Sequence, residues 1–184
     1  DFDDVCVSLK SSSVPITMRA YQLMGQESDY PLHIGVTEAG TVRMGTLKSS
    51  VGIGGLLALG IGDTMRVSLS ADPVEEIYAA RDILKAAGVR REGPELVSCP
   101  TCGRTKIDLI ALANQVEERL KSVDKPITVA VMGCAVNGPG EARDADIGLA
   151  GGKGEMLLFR KGEPLRKVPE AEAVAALVAE VEGL

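Results

Sequence analysis

In the first half of the chain, short hydrophobic runs rich in β-branched residues alternate with longer stretches of mixed polarity. The run VCVSLK ends at Lys10, PLHIGVTE ends at Glu38 and TMRVSLS ends at Ser70. Runs of this length and composition predict strands, and helix-like stretches over 14–25 and 46–60 fill the gaps between them. The pattern therefore predicts strands and helices in alternation.

A third helix is predicted over 73–87, after the last of these strands. Asp72 has the residue type of an N-cap, Pro73 takes the first helical position, and Glu75 completes a capping box. A strand and helix repeat of roughly 30 residues is the average unit of an eight-stranded α/β barrel. A doubly wound sheet has a similar period and is the alternative.

The position of the polar residues favours the barrel. Lys10, Thr37, Glu38 and Ser68 all fall at the carboxyl ends of predicted strands, and barrel enzymes build their active sites on that face. Three units cannot close a barrel, so we expect the remaining strands upstream of Asp1. The fold class predicted for this half is α/β, as the C-terminal part of a TIM-type barrel.

After a polar segment over 89–95 the pattern changes. We predict a boundary near Gly93, which separates a domain over 1–93 from a domain over 94–184. In the second domain, strands are predicted at ELVS, ITVAVMG and DIGLAG and within EMLLFRKGEPLRKV, and helices over 106–121 and 169–181. These elements predict a small α+β domain with a core of its own.

Composition narrows the classes of function. The chain has 184 residues, 45% of them hydrophobic, and no apolar stretch long enough to cross a bilayer, so we expect a soluble chain without a membrane partner. An aromatic content of 3% and a net charge of -6 argue against nucleic acid as a partner. Four cysteines without a visible leader suit a reducing compartment, so the expected location is cytoplasmic. Cys6 is predicted to be small buried filler, and His33 a core or supporting residue.

Three cysteines of the second domain are candidate metal ligands. Cys99 and Cys102 form a C-x2-C pair, a spacing shared by zinc ribbons, redox dithiols and iron-sulfur sites. Cys134 ends another predicted strand of the same domain and supplies a third thiol. Structural zinc closes with four Cys or His ligands, whereas the nearby fourth candidate here is the carboxylate of Glu141. Glu141 as an exchangeable ligand and Glu141 as a surface turn residue both remain open.

Taken together, SCPTC and GCAVNGPGE resemble the C-terminal half of the 4-hydroxy-3-methylbut-2-en-1-yl diphosphate synthase family. The resemblance extends through SLKSS, LHIGVTEAG, GIGDTMRVSLSADPVEEI and NGPGEARDADIGLAGG. It implies an α/β barrel followed by a cluster domain that resembles a sulfite reductase module. It also implies a 4Fe-4S cluster held by Cys99, Cys102, Cys134 and Glu141, with Asn137 reaching the bound substrate.

The resemblance further implies a reaction and its partners. The reaction is the reductive ring opening and dehydroxylation of 2-C-methyl-D-erythritol 2,4-cyclodiphosphate, with two electrons from flavodoxin or ferredoxin. Glu141 is implied to exchange during the reaction, so it would be catalytic as well as a ligand. The implied assembly is a homodimer in which the cluster domain of one subunit covers the barrel mouth of the other.

Further residues match family positions on the barrel side. Lys10, Arg66 and Ser68 match residues that bind the substrate diphosphate, and Lys and Arg suit phosphate oxygens chemically. Thr37 and Glu38 match a pair at the site in which the glutamate acts in proton transfer to the departing hydroxyl, although Glu38 could instead only pair with Lys10 or Arg66. A non-catalytic zinc or iron-sulfur interaction module is the alternative function, and it leaves these barrel residues unexplained.

Overall fold

The structure is a computed structural model that describes residues 3–136, 138 and 140–184. The chain divides into two compact units, Asp1–Arg91 and Glu92–Leu184, here called the N-terminal and C-terminal units. The division falls in the polar segment around Gly93 in which the sequence predicts a boundary.

Two short parallel strands organise the N-terminal unit. Strand β1 (His33–Gly35) pairs in register with β2 (Thr64–Arg66). The run that ends at Lys10 joins β1 through one parallel bridge, from Val7 to Leu32. The predicted first strand is therefore reduced to a bridge, because beyond Val7 its backbone bonds to side chains of the following helix.

The helices of this unit alternate with the strands, as the sequence predicts. They are α1 (Val14–Glu27), α2 (Val42–Ser49), a π-helix (Ser50–Gly54), α3 (Gly55–Ala58) and α4 (Pro73–Ala86). The segment from α2 to α3 is helical throughout and begins earlier than the predicted helix over 46–60. A Cβ on Gly52 would lie 2.6 Å from Val36 Cγ2, so glycine allows the π-helix to approach the end of β1 closely.

Helix α4 begins where the sequence predicts it. Asp72 Oδ1 accepts the backbone N–H of Val74 at 3.0 Å, which confirms the predicted N-cap. The predicted capping box is wrong in its second member, since the carboxylate that reaches back is that of Glu76 and not that of Glu75. Glu76 accepts the backbone N–H of Leu69 at 2.9 Å, beyond the cap residue, and so ties the end of the β2 segment to α4.

The C-terminal unit is a five-stranded mixed sheet. Its strands are β3 (Glu95–Ser98), β4 (Thr128–Met132), β5 (Ile147–Gly151), β6 (Glu155–Arg160) and β7 (Glu163–Pro169), in spatial order β3-β4-β5-β6-β7. The pairs from β3 to β5 are parallel, and the pairs from β5 to β7 are antiparallel. The predicted α+β domain thus contains every strand that the hydrophobic runs indicate.

Two helices cover this sheet. Helix α5 (Leu109–Leu120) and helix α6 (Ala173–Glu182), which follows a 3₁₀ turn (Glu170–Glu172), share one apolar core with the sheet. Helix α5 begins three residues later than the predicted 106, because Asp108 caps it by accepting the Ala111 N–H at 3.1 Å. Within the described part of the chain, no helix combines the length and apolarity needed to span a bilayer.

Candidate functional site

The strand segments of the N-terminal unit have one apolar and one polar face. Val7, Leu9, Ile34 and Met65 belong to the core beneath the helices. Because side chains alternate along extended backbone, the residues between them fall on the opposite face, and these are Ser8, Lys10, His33, Gly35, Thr64 and Arg66. In parallel sheets covered on both sides, both faces are apolar, so a polar face on these segments indicates a binding surface.

Lys10 and Arg66 lie close together across Gly35. A Cβ on Gly35 would lie 3.0 Å from Lys10 Cε and 2.7 Å from the Arg66 carbonyl oxygen, so only glycine leaves room for the lysine chain here. Burial, and after it the charge of Arg66, lower the pKa of Lys10 below its ordinary value of 10.5. Among the described residues, neither cation forms an ion pair with a carboxylate. Two uncompensated cations on a polar face make this surface a candidate site for an anion.

His33 belongs to the same polar face, a placement that sequence reasoning did not assign to it. Its Nδ1 lies 2.8 Å from Thr64 Oγ1. Burial first, and then the charges of Lys10 and Arg66, lower the pKa of His33 below 6.5, which favours the neutral ring. The alternation of His33 with buried Ile34 is the sequence signal that could have placed it opposite the core.

The remaining barrel-side candidates follow the strands. Thr37 is half-buried, and its N–H donates to the Ser11 carbonyl at 3.2 Å. Glu38 is exposed and has a φ of 51°, a left-handed conformation that is uncommon outside glycine and is often found at functional sites. The alternative in which Glu38 pairs with Lys10 or Arg66 finds no support in the described residues. Ser68 is half-buried just after β2.

In the C-terminal unit, two of the candidate thiols follow adjacent parallel strands. Cys99 comes directly after β3, and Cys134 comes two residues after β4, separated from it by Gly133. The N–H of Gly133 donates to Cys99 Sγ at 3.2 Å, and the Gly133 carbonyl accepts the Lys106 N–H at 3.3 Å. Gly133 thus joins the loop that contains Cys99 to the start of the Cys134 loop.

Cys102 is held from within its own loop. Its backbone N–H donates to Thr105 Oγ1 at 3.2 Å, and the same hydroxyl lies 4.0 Å from Cys102 Sγ. The pKa of the Cys102 thiol is lowered from 9.0, chiefly by a hydrogen bond from the backbone N–H of Arg104. Burial acts in the opposite direction, and hydrogen bonds from the Arg104 side chain and from Thr105 lower the pKa further. Both features favour the thiolate, which is the form that binds metal.

The four proposed ligands are not preassembled. Across residues 3–136, 138 and 140–184, no group of three or more His, Cys, Asp or Glu side chains is arranged to hold a metal ion. Glu141 is exposed in a turn, and Asn137 lies outside the described residues. The donors nevertheless fit a soft iron-sulfur group, since Cys99 already accepts an N–H bond and such bonds to sulfur are typical of cluster sites. Cys6 is exposed, so its prediction as buried filler is wrong. Its neighbour Val7 is the residue that packs against the core.

Comparison with known proteins identifies the family. Residues 1–81 match the GcpE TIM-barrel domain, and residues 95–183 match the GcpE protein C-terminal domain. The chain belongs to the GcpE family. This confirms the resemblance found in the sequence and assigns the N-terminal unit to a TIM-barrel domain of GcpE.

Relatives of the GcpE chain have a named activity. A protein of Geobacter sulfurreducens is 62% identical over 98% of this chain and 51% of its own length. Relatives from Ruminiclostridium cellulolyticum and Clostridium acetobutylicum are 59% and 58% identical over 98% and 100% of this chain, and over 51% and 53% of their own lengths. All three are named 4-hydroxy-3-methylbut-2-en-1-yl diphosphate synthase (flavodoxin). The chain spans about half the length of these curated relatives.

Proposed function

We propose that the protein to which this chain belongs is a 4-hydroxy-3-methylbut-2-en-1-yl diphosphate synthase. It reductively opens the ring of 2-C-methyl-D-erythritol 2,4-cyclodiphosphate and removes a hydroxyl, within isoprenoid biosynthesis. The observation that carries the proposal is the pair of cations at Lys10 and Arg66, without an acidic partner, on the polar strand face of a GcpE chain. The names of the relatives favour flavodoxin over ferredoxin as the electron donor.

The two cations are suited to the diphosphate of this substrate. Lys10 supplies a compact charge, and Arg66 supplies a planar donor fork that can bind two phosphate oxygens. A bound diphosphate would offset the mutual repulsion that contributes to the lowered pKa of Lys10. The Ser68 hydroxyl, half-buried after β2, adds a neutral donor.

Thr37 and Glu38 would act at the departing hydroxyl. Loss of an oxygen as water requires a proton, and Glu38 is the carboxyl group at the end of β1 that can hold one. Its left-handed backbone is held in place on one side by Thr37, whose N–H is bound to Ser11. In this proposal Thr37 orients the substrate, and Glu38 donates the proton.

The cluster would bind to Cys99, Cys102, Cys134 and Glu141, in a domain that we propose to be similar to a sulfite reductase module. A 4Fe-4S group, when bound, supplies single-electron chemistry. Soft thiolates match iron better than a hard carboxylate does, so Glu141 is the most weakly matched and exchangeable member of the set. We also propose that Asn137 reaches the substrate and that a homodimer shares each active site between subunits.

The test uses the full-length protein purified without oxygen. Iron and sulfide contents, the cluster spectrum and turnover of the cyclic diphosphate with reduced flavodoxin are measured for the wild type and for Glu141→Ala. We expect Glu141→Ala to destabilise the cluster and to abolish reduction. Asp144→Ala is the matched control, because the Asp144 side chain is 95% exposed and its nearest cation, on Arg143, is 3.8 Å away.

Two results would contradict the proposal. One zinc per chain without sulfide would show a zinc module in place of a redox enzyme. An unaltered cluster spectrum with full activity in Glu141→Ala would show that Glu141 is only a turn residue.

A further inference from the structure

Helix α1 buries two hydroxyl side chains where apolar ones would pack more simply. Thr17 and Tyr21 are both 0% exposed, and their spacing of four residues places them on one face of the helix. Burying a hydroxyl costs free energy unless it is hydrogen-bonded. The hydrogen-bond partners of these two hydroxyls therefore indicate the role of this face of α1.

Both hydroxyls bind backbone groups next to Lys10. The Tyr21 hydroxyl accepts the Leu9 N–H at 2.9 Å and donates to the His33 carbonyl at 2.7 Å. The Thr17 hydroxyl accepts the Ser11 N–H at 3.1 Å and donates to the Ser11 carbonyl at 3.1 Å. The residues before and after Lys10 are thus both held by α1.

These hydrogen bonds take the place of strand pairing beyond Val7. Among the described residues, the run pairs with the neighbouring strand only through the bridge from Val7 to Leu32. The N–H groups of Leu9 and Ser11 would otherwise lack the partners that a strand provides. Ser11 in turn accepts the N–H of Thr37 at 3.2 Å, so the same bonds reach the end of β1.

We propose that Thr17 and Tyr21 are positioning residues that act through Lys10 to preorganise the anion site, an inference that rests on the proposed diphosphate-binding role of Lys10. The lysine side chain is long and flexible, so the direction in which it leaves the backbone decides where its charge lies. Here it passes Gly35 towards Arg66. Fixing the backbone on both sides of Lys10 removes the freedom that would let this charge move away from Arg66.

The test is a set of double-mutant cycles in the full-length, cluster-loaded protein. Tyr21→Phe and Thr17→Val each remove one hydroxyl and keep the shape of the side chain, and each is made with and without Lys10→Ala. The readouts are the Kd for inorganic pyrophosphate, and kcat and KM for the cyclic diphosphate. We expect each change to raise both Kd and KM about fivefold, as loss of one buried hydrogen bond predicts, with kcat less affected.

Energetic coupling between each hydroxyl and Lys10 distinguishes a positioning role from a general effect on stability. If the hydroxyls act through Lys10, their effect on the pyrophosphate Kd disappears in the Lys10→Ala background. Thr17→Ser keeps a hydroxyl and should restore most of the affinity lost in Thr17→Val. Ile83→Val is the matched control, since Ile83 is buried in the same core and its shortening should lower stability without changing the Kd.

The outcomes are distinct. Equal losses of affinity with and without Lys10, or an unchanged Kd in both variants, would overturn the inference and leave the proposed function intact. Pyrophosphate binding that shows the coupling, without turnover of the cyclic diphosphate, would support the inference and contradict the proposed function. A wild type that turns over the cyclic diphosphate and does not bind pyrophosphate would overturn the inference alone. If Tyr21→Phe does not fold, the Thr17→Val cycle decides by the same criteria.

Discussion

Replacing Gly133 with alanine should disrupt both cysteine loops of the C-terminal unit through one methyl group. The new Cβ would lie 2.8 Å from Thr105 Oγ1 and 3.0 Å from Thr105 Cγ2, closer than side-chain carbons normally approach. Thr105 cannot move freely, because its hydroxyl accepts the Cys102 N–H at 3.2 Å. Gly133 cannot move freely either, since its N–H donates to Cys99 Sγ.

The size of the effect follows from these contacts. Overpacking at a constrained position costs about 1–3 kcal/mol, and loss of the hydrogen bond between Cys102 and Thr105 adds about 0.5–1.5 kcal/mol. We therefore expect Gly133→Ala to lower the free energy of unfolding of the C-terminal domain by about 2–4 kcal/mol. The larger consequence should be for cluster binding, since the loop that contains Cys99 and Cys102 loses its attachment to the Cys134 loop.

The assay compares iron and sulfide per chain, and chemical denaturation, in full-length Gly133→Ala and Gly103→Ala. A Cβ on Gly103 would meet no atom within 4 Å, although it lies in the same loop next to Cys102. That control should keep its cluster and its stability. Wild-type iron content and stability in Gly133→Ala would refute the argument that Thr105 and Gly133 hold the two loops together.

Three further predictions concern other parts of the chain. Mixing full-length Lys10→Ala with Cys134→Ala should raise activity above that of either variant alone, because a heterodimer with shared sites contains one intact barrel and cluster pair. No recovery would contradict the shared site. The pKa of His33, held below 6.5 by burial and the nearby cations, should rise when pyrophosphate binds, as followed by NMR with His33→Gln for assignment; a fixed pKa would place the anion elsewhere. Asp72→Ala should lower stability by about 1 kcal/mol in denaturant melts, because it removes the N-cap of α4, whereas an unchanged midpoint would show that the bond to Val74 contributes nothing.

The features of the fold that depend on neighbouring residues in sequence were predictable. The start of α4 at Asp72 and the strands of the C-terminal unit follow from caps and hydrophobic runs, and the structure has them where predicted. The sequence could not show that the first predicted strand is reduced to a single bridge. β-branched residues indicate strand propensity, but they do not indicate how much of a strand pairs with its neighbour. That Glu76 and not Glu75 reaches back from α4 also depends on tertiary structure, since its partner Leu69 belongs to the segment after β2.

The candidate site divides in the same way. Lys10 could be proposed from residue type and strand-end position, and Arg66 from the family resemblance, and the structure brings them together across Gly35. Tyr21 and Thr17 could not, because a hydroxyl on the buried face of a helix has the same pattern in sequence as an ordinary core residue. The cysteines were found by spacing and resemblance, but no local pattern predicts the bond from Gly133 to Cys99.

In both units, hydroxyl side chains hydrogen-bond to backbone groups that lie beyond the end of a strand. The candidate residues Lys10 and Cys102 lie beyond the last pair of a strand, where the backbone has left the ladder and still needs partners for its N–H and carbonyl groups. Hydroxyl side chains supply them: Tyr21 and Thr17 bind the backbone beside Lys10, and Thr105 binds the backbone of Cys102. Because an apolar replacement of equal volume would keep the packing and lose the bond, Thr17 and Thr105 should tolerate exchange for serine better than for valine, and Tyr21→Phe should lose the bond without opening a cavity. Their substitution should therefore impair binding of the anion or the cluster before it impairs folding.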